Sequence, residues 1–351
     1  MATKRHWSRR LSAALALALV LVLGTVIAAC GGDDEEGDGE AAGGGELTEV
    51  NIGTQPWIGY GPFWIADEQG FDEDHGVDIK LTQFSTDQDL ESGFASGRFQ
   101  AANNANNTLI RLADLGLDYK IVLMEDVSLE ADAVVSCDPN IRSISDLEGQ
   151  EGTSVAFEEF SVSDVLFRYA IGQEGISFDQ FDYSPIPAAD AGTAAVAGRV
   201  DVATTYEPYL QAAVQEGEDC EVIYTAAERP GLISDALAVN TQFAEENPEA
   251  VQGVLLAWDD AVDFYNENTE EAQAIIAENV GEKPEDLRAS FEGVELYDLE
   301  QSQDYLQNEY PTLWEDVGSI LVEQGQIETE PNVEDYLDTS YGEQALSQEQ
   351  E

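Results

Sequence analysis

The sequence predicts an α/β protein of two lobes, and three observations carry that expectation. Strand-like and helix-like segments alternate from residue 49 onward. The alternation breaks and restarts near residue 131. Roughly 280 residues lie between a polar leader and a polar tail, which suits two lobes better than one. Alternation in this order implies mainly parallel sheets with helices on their faces.

Taken in order, Val50-Asn51-Ile52 opens a strand that runs into a turn-rich segment, and an apolar helix over 63–69 stops at Gly70. Val77, Ile79 and Leu81 alternate with Asp78, Lys80 and Thr82, the period-two pattern of a half-buried strand. A helix over 87–96 closed by Gly97, a strand over 99–103, a helix over 107–115 and a strand over 120–124 follow. After the restart, strands are expected at 133–135, 154–157, 183–186, 201–205, 221–225 and 236–240. Helices are expected between them at 163–173, 189–197 and 209–216, with a short turn of helix at 144–147. Beyond Asn240 the chain reads as helical. Val251, Val254, Leu255, Trp258, Ala261, Val262 and Tyr265 share one face of a helix opened by Asn247-Pro248, with Asp259, Asp260 and Glu267 opposite. Further helices are expected at 270–278, 284–291 and 313–324, and residues 331–351 read as an acidic tail whose last dozen residues are frayed.

The amino terminus points to export. Lys4, Arg5, Arg9 and Arg10 precede an apolar run over 11–23, relieved only by Ser12 and closed by Ile27-Ala28-Ala29-Cys30. That order is a secretory signal over 1–29, too short for an ordinary membrane span. Ile27-Ala28-Ala29-Cys30 resembles the lipobox of bacterial lipoproteins, which implies cleavage before Cys30 and a diacylglycerol on its thiol. Residues 31–45 hold only Gly, Ala, Asp and Glu, so 30–47 reads as a flexible leash.

Loss of the signal would leave 10 basic against 72 acidic residues, a net charge of −62 over 322 residues. Nucleic acid and anionic membrane surfaces repel such a body, and neither is expected as a partner. With only Lys80, Lys120 and Lys283 as lysines, the surface reads as one solvated for high external salt. The 43% hydrophobic content, with 13 each of Tyr and Phe, still provides a core. Cys137 and Cys220 are too far apart for a metal motif and sit in an oxidising compartment, so either a disulfide or two buried thiols is open. His75, in an acidic turn, reads as a surface residue, which leaves little for nucleophilic catalysis. No metal and no cofactor are implied.

Several segments, in order, resemble the nitrate/sulfonate/taurine-type solute-binding proteins, a family that includes carriers of thiamine pyrimidine precursors. They begin with Trp57-Ile58-Gly59-Tyr60-Gly61-Pro62-Phe63 and Gly70-Phe71. Glu125-Asp126-Val127-Ser128-Leu129-Glu130-Ala131-Asp132-Ala133 and Ile144-Ser145-Asp146-Leu147-Glu148-Gly149 continue the match. Asp190-Ala191, Ala197-Gly198-Arg199-Val200-Asp201, Tyr206-Glu207-Pro208-Tyr209 and Pro230-Gly231-Leu232-Ile233-Ser234-Asp235 complete it. The resemblance implies a two-lobed periplasmic-binding-protein-like fold of type II, with ligand in the cleft and delivery to the permease of an ABC importer. Lobe one would be 48–126 plus 241–330, and 127–240 would hold the crossovers and lobe two. A monomer is implied by resemblance alone. Two alternatives share the fold: a pyrimidine-precursor synthase, whose reactive histidine and cysteine-rich motif this chain lacks, and the ligand-binding subunit of a sensor.

Ligands of open α/β sheets bind beyond the carboxyl ends of strands, which selects loops without family knowledge. Gln55, Trp57 and Tyr60 follow the first strand, the aromatics as ligand-stacking faces or as a hydrophobic plug. Asn103 and Asn104 end the third strand as amide ligands or turn formers. Asp126 and Ser128 sit at the hinge as ligands or backbone braces. Ser161 and Ser163 begin a lobe-two helix, either as ligand contacts at its amides or, for Ser161 with Asp164, as a capping box. Tyr206, Glu207 and Asp235 complete the set. Glu158 and Glu159 disfavour a free anion nearby, so a neutral, zwitterionic or cationic solute is expected over nitrate.

Overall fold

The computed structural model describes residues 47–287 and 290–349. The signal, the leash up to residue 46 and Cys30 lie outside the described residues.

Among the described residues eleven strands form two sheets. In chain order they are β1 (Thr48–Thr54), β2 (Val77–Gln83), β3 (Ala101–Ala105), β4 (Tyr119–Ser128), β5 (Asp132–Ser136), β6 (Ser154–Phe157), β7 (Asp182–Pro185), β8 (Val202–Tyr206), β9 (Glu221–Thr225), β10 (Ser234–Asn240) and β11 (Val294–Leu296). One sheet has the order β11-β4-β10-β3-β1-β2, and the other β7-β6-β8-β5-β9. The expected two-lobed α/β architecture stands, but the sheets are mixed rather than mainly parallel. Among the strands of the described residues, parallel pairing is confined to β1 with β2 and β3, and to β6 with β7 and β8. The cause is the double crossover. The chain leaves the first sheet from β4 and enters the second as β5, which runs antiparallel to β8 and β9. It returns as β10, inserted antiparallel between β3 and β4.

That topology gathers strand ends. The carboxyl ends of β3 and β4 meet the start of β10, where Asp235 lies opposite both Ala105 and Asp126. β5 begins four residues after β4 stops. Polar residues at these ends therefore face one another although they are distant in sequence.

Packing holds the strand ends in place. The helix Pro248–Glu267 starts on a proline that needs no amide partner, and it buries Val251, Val254, Leu255, Trp258, Ala261 and Val262 against the first sheet's core. Trp258 is fully buried beside Phe63, their rings 4.8 Å apart, and its indole nitrogen donates to the Tyr297 carbonyl at 2.8 Å. Burial of each such aromatic contributes about 1.5–3 kcal/mol. Lobe two has its own core around Phe157, Phe167 and Phe181.

The carboxyl-terminal residues, expected to be a frayed tail, are folded. Leu337 bridges to Ile121 of β4, and the helix Ser340–Glu349 lays Tyr341, Ala345 and Leu346 on the core that contains Pro248–Glu267. These three recur at helical spacing, a pattern masked by the surrounding Gln and Glu. No helix among the described residues is long and apolar enough to cross a membrane.

Candidate ligand-binding site at the hinge

Both lobes contribute to one small cavity of about 30 Å³. Lobe one supplies Gln55, Trp57 and Tyr60 from the segment after β1, Ala105 from β3, and Asp87 from the first position of the helix Asp87–Ala95. Lobe two supplies Asp132 at the start of β5, Val162 at the start of the helix Val162–Gln173, and Tyr206 at the end of β8. Ile233 and Asp235 close it from the returning crossover.

The aromatic side chains are fastened to carboxyl groups. The Trp57 indole nitrogen donates to Asp126 Oδ2 at 3.1 Å and Oδ1 at 3.3 Å. Gly59 makes this approach possible, since a Cβ there would collide with both partners. Tyr60 donates its hydroxyl to Asp235 at 2.8 Å. The Trp57 and Tyr206 rings meet edge to face between the lobes, centroids 5.7 Å apart. Trp57 is thus both wall and packing element, being only 5% exposed.

Burial governs the ionisation of this site. It pushes Asp132 up to about 8, with the charges of Asp235 and Glu207 adding. It also raises Asp235 to about 7, although the Tyr60 hydroxyl favours the charged form. Asp126 and Glu125 rise well above the usual carboxylate range, first from burial and then from Asp235. Like charges withdrawn from water favour protonated forms.

Outside the cavity proper, Glu158 accepts hydrogen bonds from the Asp87 amide at 3.0 Å and the Ala188 amide at 3.2 Å. Burial raises it to about 7, assisted by the Asp87 charge. Next to it lie Arg111 and Glu91, joined as an ion pair, with the guanidinium 5.6 Å from the Phe160 ring centre.

Of the residues expected at the site, Gln55, Trp57, Tyr60, Tyr206 and Asp235 line the cavity, and Asp126 stands behind Trp57. The others serve the fold. Asn103 donates to Thr54 Oγ1 at 3.1 Å and Asn104 to the Ala102 carbonyl at 3.2 Å, both buried within the sheet. Ser128 braces the hinge by accepting from the Asp132 amide at 3.1 Å. Ser161 caps its helix, accepting from Ser163 at 3.1 Å, and the Ser163 side chain is buried without a partner. Glu207 accepts from the Gln211 amide at 3.2 Å, beside the 2.6 Å bond from Ser290 to Gln211 that joins the lobes. Its acid is raised to about 7 by burial.

Asp87, Asp132 and Glu125 were not expected. Asp87 follows β2 and was open to the same rule about strand ends, but it read only as the start of the helix over 87–96. Asp132 begins a strand, where the rule does not look. Cys137 and Cys220 are joined as a disulfide in lobe two. His75, expected at the surface, is half-buried and bonds Asp260 at 2.7 Å. Among the described residues no three His, Cys, Asp or Glu side chains converge as a metal site requires.

The family model of the NMT1-like family matches residues 43–280, well over half of the chain. The chain belongs to this family. A curated relative of this NMT1-like chain, a putative aliphatic sulfonates-binding protein of Bacillus subtilis, is 25% identical over 253 residues, covering 70% of the chain and 73% of the relative. Among solved structures, the periplasmic aliphatic sulphonate-binding protein SsuA of Escherichia coli superposes with a TM-score of 0.69 at 19% identity, over 82% of this chain and 91% of that one. The periplasmic nitrate-binding protein NrtA of Synechocystis PCC 6803 gives 0.68 at 16%, over 86% and 89%. The desulfurization enzyme DSZB gives 0.64 at 13%, over 86% and 99%. At these identities the structures share the fold with the NMT1-like chain, and the fold is that of periplasmic binding proteins.

Proposed function

We propose that this protein is an extracytoplasmic solute-binding protein, held to the membrane by a lipid on Cys30, that captures a small molecule and presents it to the permease of an ABC importer. The observation that carries this reading is the cavity itself. Its wall is drawn from both lobes at the point where the two crossovers join them, so that closing the hinge encloses a solute. Membership of the NMT1-like family, with binding proteins among its relatives, supports it. An enzyme on the same fold is the competing reading. Neither His75, engaged with Asp260, nor Cys137 and Cys220, engaged with each other, lines the cavity, which supports binding over nucleophilic chemistry.

The test is a solute screen read by melting temperature and small-angle scattering. One class of compound should raise the melting temperature and compact the protein. At a concentration ~100 times the dissociation constant the gain is about 2.7 kcal/mol. A bound compound recovered chemically changed, or no shift from any class, contradicts the proposal. For the anchor, Cys30→Ser should release the protein from membranes or leave it uncleaved, because two acyl chains are what makes such attachment stable. Unchanged size and membrane retention would exclude the lipid.

A further inference from the structure

The charge of the hinge cavity bears on the class of solute. Asp87, Asp132 and Asp235 line it from both lobes, with aromatic rings between them. Behind this wall Glu125 is fully buried, and neither of its carboxyl oxygens has a hydrogen-bond partner. Among the described residues, Arg111 is the only basic side chain on the cleft walls, and it is committed to Glu91 and the face of Phe160. An entering anion would meet carboxyl groups and a guanidinium already paired with Glu91.

Two independent observations point the same way. Helix amino termini are the usual protein device for holding an anion; that of Val162–Gln173 reaches the cleft capped by Ser161, and those of Asp87–Ala95 and Ala188–Val196 reach it beside Glu158. The leading amides of the last two already donate to the carboxylate of Glu158, so the chain supplies its own anion there. The second is Gln55, 8% exposed on the cavity wall, whose Nε2 completes no hydrogen bond of sound geometry although Asp87 lies beside it. An unused amide donor among carboxyl groups suits a ligand that pairs a positive charge with an oxygen acceptor.

We propose that the cavity takes a small organic cation, its charged nitrogen set among Asp87, Asp132 and Asp235 and an oxygen acceptor turned to Gln55. This rests on the receptor function proposed above. Trp57, Tyr60 and Tyr206 complete the enclosure, and ring faces turned to the nitrogen would attract a desolvated ammonium. Without ligand the carboxyl groups hold protons, because burial raises them. A cation replaces those protons, so binding releases them to solvent and strengthens as pH rises.

The test pairs compounds of one skeleton and opposite charge. Choline and ethanolamine are titrated calorimetrically against the whole protein beside isethionate, which carries the same hydroxyethyl group on a sulfonate, and nitrate. At least one cation should bind at least tenfold more tightly than both anions. Its affinity should rise from pH 6 to pH 8 by about tenfold per pH unit for each proton released, with heats that depend on the buffer's ionisation. Asp132→Asn and Asp235→Asn should each weaken binding at least tenfold without lowering the unliganded melting temperature. Asp87→Asn, at a half-buried helix start, serves the same purpose if a buried variant does not fold. Tighter binding of isethionate or nitrate overturns the cation assignment and leaves the receptor function standing. Silence from all four compounds also overturns it, and the receptor function then depends on the separate solute screen. Cation affinity that is indifferent to pH and to the asparagine variants overturns the role given to these carboxyl groups.

Discussion

Tyr60 donates its phenolic hydrogen to Asp235 at 2.8 Å, joining residues 175 apart in sequence. The bond ties the turn after β1 to the strand that returns from lobe two, so it braces the hinge rather than either lobe alone. Both side chains are buried. Tyr60→Phe keeps the ring and removes the donor, so Asp235 loses its hydroxyl partner. The expected loss of unliganded stability is about 1–3 kcal/mol, read from the urea midpoint. An unchanged midpoint would mean that the bond contributes nothing.

The pH dependence of the unliganded protein follows from the same acids. Asp132 stands at about 8, and Asp235 and Glu207 at about 7, burial being the largest cause in each. The folded state therefore binds their protons more tightly than the unfolded chain, whose carboxyl groups titrate near about 4. Their stabilising contribution is full below that value and is lost as pH rises through about 7 to 8. The melting temperature at constant ionic strength should fall between about pH 5 and about pH 8.5, and Asp132→Asn should flatten the alkaline end of the fall. A rise over that range would contradict the assignment.

Much of this fold was legible because periodicity reports burial directly. Val77, Ile79 and Leu81 announce β2, and the helix Pro248–Glu267 shows its apolar face residue by residue. What periodicity does not report is pairing. Nothing in the residues 234–240 says that this strand inserts antiparallel between β3 and β4, because its partners are chosen by the path of the crossovers. The three residues of β11 carry no pattern at all. The site was half legible for a related reason. The rule of strand carboxyl ends found Gln55, Trp57, Tyr60 and Tyr206, but a crossover also brings strand beginnings to the cleft, and Asp132 lies on one. Asn103 and Asn104 met the rule and still turned inward, since buried amides were needed within the sheet.

The disulfide should act on lobe two without touching the site. Cys137 and Cys220 are separated by 83 residues, and closing such a loop contributes about 4 kcal/mol in the chain-entropy account. Cys137 follows the far end of β5 from Asp132, about 16 Å away at the usual rise per strand residue. Replacing both cysteines by alanine should lower the urea midpoint by that order while leaving solute affinity within about twofold. A large loss of affinity at unchanged stability would show that the bond shapes the cleft.

Glu158 gives the strongest test of lobe closure. Its two carboxyl oxygens accept from the Asp87 amide at 3.0 Å and the Ala188 amide at 3.2 Å. Asp87 heads a helix of lobe one and Ala188 a helix of lobe two, so one side chain links the lobes through two helix amino termini. Aligned peptide dipoles favour negative charge at such ends, whereas burial and the neighbouring Asp87 raise the acid to about 7. The bridged state therefore binds the Glu158 proton more tightly than an opened, solvated one, so closure should strengthen as pH falls through about 7. Glu158→Ala should enlarge the radius of gyration of the unliganded protein in small-angle scattering, with Glu158→Gln intermediate, because the amide keeps an acceptor and loses the charge. Solute affinity should fall by the fraction of closed protein lost, about tenfold if the link is worth about 1.4 kcal/mol. Ser290→Ala, which removes the 2.6 Å bond to Gln211 at another contact between the lobes, should act in the same direction and add to the first effect. Unchanged scattering and affinity in Glu158→Ala would show that this link does not hold the lobes together.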